Sequence, residues 1–119
     1  MKRFTVLLLM LCLIATPLLA KSSTYDYATR LASLLADTQG KATMSAASWK
    51  TIANEANALA NKLYASSGAK TRKDAKEART HIREMHKAAM AGDADGAKSH
   101  AGMALPYVYK VIDATMPAK

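Results

Sequence analysis

Across the middle of this chain, Trp49, Ile52, Ala56, Leu59 and Leu63 step by 3, 4, 3 and 4. That rhythm draws one apolar seam along about five turns of helix and is incompatible with the alternation of a strand. It recurs at Ala75, Ala78, Ile82, Met85 and Ala89, and again at Tyr27, Leu31, Leu34 and Thr38, where Ala28 and Leu35 broaden the stripe. Alanine fills many seam positions, which favours helix further. A fourth segment, Ala94, Ala97, Ala101, Ala104, Val108 and Val111, keeps the helical period, although Gly96, Gly102 and Pro106 interrupt it. Proline inside a helix loses one backbone hydrogen bond and clashes with the carbonyl four residues earlier. The segment is therefore expected either to kink between Gly102 and Pro106 or to split into two short helices.

The residues between these stripes punctuate helices. Gly40 is a stop, Thr43 or Ser45 can cap the second helix, and Ser66-Ser67-Gly68 ends it. Thr71 to Asp74 has the form of a capping box. Gly92 suits the left-handed position after the third helix, and Asp93 the cap of the fourth, with Asp95 near its positive end. Short connectors and amphipathic stripes together predict an all-α fold, an antiparallel up-down four-helix bundle. At about 25 cal/mol per Å² of apolar area, an alanine-lined seam stabilises little, so a homodimer or a bound ligand is expected to supplement it.

The chain divides into two parts. Residues 1–20 read as a signal peptide: Lys2 and Arg3 precede an apolar run from Val6 through Ile14, followed by Pro17 and the small Ala20. The run is shorter than the roughly 20 residues needed to span a bilayer, and no second apolar segment follows. Residues 21–119 form the expected single helical domain, secreted or periplasmic and without a transmembrane segment. The one cysteine, Cys12, lies inside the signal, with Leu11 where a lipoprotein signal places a small residue. This excludes disulfides, cysteine nucleophiles and thiolate metal ligands from the exported domain. Without Lys2 and Arg3, the 17 basic residues become 15 against 9 acidic ones, an excess that favours anionic neighbours.

Every histidine falls between positions 81 and 100. His81, Glu84 and His86 superficially suggest a zinc hydrolase, which needs histidines four residues apart on one helical face. A spacing of five turns the second ring by about 140° from the first, so one helix cannot chelate a metal with this pair and no enzyme is predicted. Calcium fares no better: with Gly96 at the invariant glycine of a calcium loop, Gly102 falls where the bidentate glutamate belongs. Two helices can still share an ion. Across a turn at Gly92-Asp93, His86 lies level with His100, whereas His100 shares a side with His81, about 7.5 Å lower along the hairpin. His81 with Met85, and His86 with Met90, are four apart and share faces. Imidazole with thioether suits Cu(I), and histidines alone suit Cu(II), Zn or Ni. The candidate metal ligands are therefore His81, His86, His100 and Met90.

The pattern His86, Met90, Gly92-Asp93, Gly96-Ala97 and His100-Ala101 resembles the helical hairpins of small exported histidine-bearing bundles of the small metal-binding protein type. The resemblance covers about a quarter of the chain, residues 81–101, and implies periplasmic binding of copper, nickel or zinc. Proteins of that type repeat histidine many times, whereas this chain has three, all in its second half.

A second reading concerns charge. Lys70, Arg72, Lys73, Lys76, Arg79, Arg83 and Lys87 crowd the third helix against Asp74, Glu77 and Glu84. Of these, Lys76, Arg83 and Lys87 fall near one outward face that could meet an anionic envelope surface or a protein partner. No aromatic residue interleaves with them, which argues against specific nucleic-acid binding. A third reading, haem held by a His and a Met, would need more room than an alanine seam leaves.

Overall fold

The computed structural model describes residues 23–41 and 43–116. The predicted signal peptide lies outside them. The described part is a four-helix bundle of α1 (residues 23–40), α2 (Ala46–Ser66), α3 (Arg72–Met90) and α4 (Ala94–Thr115), with no strand among the described residues. No described helix is long and apolar enough to cross a membrane.

Hydrogen bonds at the two ends of the bundle fix the up-down order. Thr24, early in α1, donates to the Ser66 carbonyl at the end of α2 (3.0 Å). At the other end, Gln39 donates to the Lys98 carbonyl at the start of α4 (3.0 Å), and the Lys98 ammonium donates to the Lys41 carbonyl (3.0 Å). Each helix thus runs against its neighbours, and α1 closes the bundle against both α2 and α4.

The seams meet in one core. On α3 the buried residues are the five predicted, Ala75, Ala78, Ile82, Met85 and Ala89, and on α4 they are Ala97, Ala101, Ala104, Val108 and Val111. On α1 the stripe is rotated from the expected one: Ala28, Leu31, Leu35 and Thr38 are buried, while Tyr27 and Leu34 sit half-buried at its edge. On α2, Ala53 and Ala60 are buried and Ile52 is half-buried. In both helices alanines (Ala28, Ala53, Ala56, Ala60) share the buried line with leucines (Leu31, Leu35, Leu59, Leu63), while Tyr27, Leu34 and Ile52 lie on the flanks.

Local signals explain most helix ends. Ser45 caps α2, its hydroxyl accepting from Ser48 N–H at 3.1 Å. Gly92 adopts φ 79°, and Asp93 caps α4 by accepting from Gly96 N–H at 2.9 Å. The expected capping box at Thr71 does not form. Its backbone is already helical (φ −112°, ψ −10°), and the N–H groups of Thr71 and Arg72 both turn back to the Gly68 carbonyl. A capping hydroxyl needs an extended backbone to reach the third N–H, and Thr71 has none. Finally, α4 remains one helix through Pro106 rather than two short ones. Pro106 is exposed, so the gap in the hydrogen-bond ladder lies on the solvent side.

Candidate functional site

Helix α3 carries two unlike flanks, one toward α2 and one toward α4, and the histidines divide between them. His81 faces α4. Its ring lies between two α4 side chains seven residues apart: His100, with ring centroids 6.0 Å apart and planes inclined by 29°, and Tyr107, at 5.8 Å and 15°. The hairpin geometry accounts for this. His81 is level with Ala104, which puts it midway between the turns that bear His100 and Tyr107. Helices α3 and α4 approach closely at the turn end, where any side chain at Gly96 would meet the Asp93 carboxylate and, at 3.3 Å, the Ala88 methyl.

The Nδ1 atoms of both His81 and His100 are buried and make no hydrogen bond. Both residues are only half-buried as wholes. Each imidazole therefore turns one nitrogen inward, into a place where no protein group satisfies it. Such orphaned polar atoms are rare in folded proteins.

His86 belongs to the other flank. Its Nε2 donates to Asn54 Oδ1 of α2 at 2.8 Å, away from His81 and His100. Met90 lies on that same flank, 40% exposed at the end of α3, and Met85 is wholly buried as core. Of the four predicted ligands the structure thus brings together His81 and His100, and it leaves His86 and Met90 apart from them. Sharing a side prevailed over sharing a height. Among the described residues no group of three or more His, Cys, Asp or Glu could hold a metal ion, so no third side chain of these types joins the pair. Tyr107 was missed by sequence reasoning, although its spacing of seven from His100 puts it on the same face.

Lys76, Arg83 and Lys87 are all exposed, as expected of an outward face. Lys87 lies 4.0 Å from Glu84. A surface groove of about 1050 Å³ lies between α1 and α2, lined by Leu34 and Leu59 among others, and no histidine lines it.

Comparison with known proteins returned no matching family model, no matching curated protein and no matching solved structure.

Proposed function

We propose that this is an exported, non-catalytic binding protein that takes up a transition-metal ion, Cu, Zn or Ni, at the His81–His100 pair on the α3–α4 hairpin. The observation that supports this reading is the pair of inward, unpartnered Nδ1 atoms. A metal–imidazole bond of about 2 Å puts two rings that share one ion roughly 6 Å apart between centres. The observed separation is 6.0 Å. In this reading a single ion satisfies both nitrogens, and Tyr107 packs against His81, which holds its ring in place. With two protein ligands, the remaining coordination positions fall to water or to a small anion. The likeness of residues 81–101 to metal-binding hairpins points the same way. His86 and Met90 have no part in this site.

Thermal melts of the exported domain with and without Cu(II), Zn(II) or Ni(II) test the proposal. Ion at 100 times Kd adds about 2.7 kcal/mol, which raises Tm by upwards of about 10 °C in a domain of this size. The rise should vanish in His81→Ala and in His100→Ala and persist in His86→Ala. Melts that no metal moves, or a rise lost only in His86→Ala, would overturn the assignment.

A further inference from the structure

The flank of α3 that faces α2 carries a second, independent feature. Arg72, Lys76, Arg79, Arg83 and His86 step by 4, 3, 4 and 3 along it. The contacts of Arg72 and Arg79 with Tyr64, and of His86 with Asn54, show that this stripe borders α2. Opposite, Lys50, Asn54, Asn57, Asn61 and Tyr64 step by 4, 3, 4 and 3 along α2. The three acidic residues of α3, Asp74, Glu77 and Glu84, follow its other flank with His81. The α2–α3 groove is thus bordered by five Lys or Arg, one His and three Asn, with no carboxylate in either stripe. None of Arg72, Lys76, Arg79 and Arg83 makes an ion pair among the described residues. All the stripe residues except the half-buried Asn57, Tyr64, Arg79 and His86 are exposed.

Segregation of this kind is not what solubility requires, since a solvated helix usually mixes its signs. We infer that the α2–α3 groove binds a linear acidic polysaccharide, its cationic edge holding the carboxylates and its asparagine row the hydroxyls. Four features select that occupant. The cations are spread over about 20 Å of helix, which suits a chain of anions better than one ion. A primary amide both donates and accepts, as a sugar hydroxyl does, whereas a bare phosphate chain offers only acceptors. The Tyr64 ring, the one aromatic surface here, has a face covered by the Arg79 guanidinium at 3.8 Å, which closes that face to a nucleic-acid base. No large apolar side chain rises from either stripe to enter a lipid surface.

Alginate, a linear polyuronate, is the probe. The full exported domain should bind it with an affinity that falls steeply as salt rises. Lys76→Gln with Arg83→Gln, two exposed sites without an ion pair among the described residues, should weaken binding by about tenfold or more. Asn57→Ala with Asn61→Ala should weaken alginate binding severalfold and binding of inorganic polyphosphate less, since phosphate oxygens use only the amide's N–H donors. His81→Ala with His100→Ala should leave alginate binding intact, which separates this site from the metal site. The inference is overturned if alginate does not bind. It is equally overturned if polyphosphate, single-stranded DNA or phosphatidylglycerol vesicles bind as tightly and the asparagine variant changes nothing, for the surface is then a plain cationic one.

Discussion

Replacing His81 and His100 together by leucine should stabilise the metal-free protein while abolishing its response to metal. Each ring holds one buried, unpartnered nitrogen. A fully buried orphan costs about 1–3 kcal/mol, and the low end applies to rings that are partly exposed, so removing both gains about 2 kcal/mol. Against this stand the ring contacts of His81 with His100 and Tyr107, at 6.0 and 5.8 Å. Aromatic pairs contribute about 0.5–1.5 kcal/mol, again at the low end for separations this long, so about 1 kcal/mol is lost. Leucine fills a similar volume and leaves no polar atom behind. The net gain of about 1 kcal/mol corresponds to a rise in Tm of about 4–8 °C. Circular dichroism melts in the presence of a chelator measure it. The single variants should fall below the double one, because each leaves the partner nitrogen orphaned. If the double variant melts below the parent, the two nitrogens are not a source of instability, and the physical basis for assigning a ligand to them is removed. A pair that is costly when empty and useful when filled is the usual exchange of stability for function.

Three further outcomes probe the scaffold. Ile82→Ala removes a fully buried side chain from the centre of α3 and should cost about 2–5 kcal/mol, measured as the loss in chemical-denaturation midpoint at unchanged slope. Asp93→Ala should cost about 1 kcal/mol by removing the α4 cap, whereas Thr71→Val, at a buried position whose hydroxyl makes no capping bond, should not show the roughly 1 kcal/mol loss that removal of a cap brings.

The candidate site was half legible. The three histidines and the turn at Gly92-Asp93 are plain in the chain, and the hairpin put His100 near both His81 and His86. Choosing between them needs to know on which side of α3 its two neighbours stand, and the period of one helix does not contain that. The same gap hid the α2–α3 stripes: Lys76, Arg83 and Lys87 read as an outward face, but only the contacts of Arg79 with Tyr64 and of His86 with Asn54 show which helix borders it. The Thr71 capping box failed for a different reason. Its residue types were right, but Gly68 had already started the helical turn.

What the chain determined alone is whatever acts within about one helical turn: the number of helices, the glycine and aspartate that turn α3 into α4, and the seam of α3 down to each buried residue. Those depend on spacing and backbone conformation, which neighbouring residues set among themselves. Tertiary structure decided how far each stripe rotates and which flank meets which helix. Packing four rods together fixes these through contacts between residues distant in sequence, and so it was the bundle that seated His81 against His100 and sent His86 to Asn54.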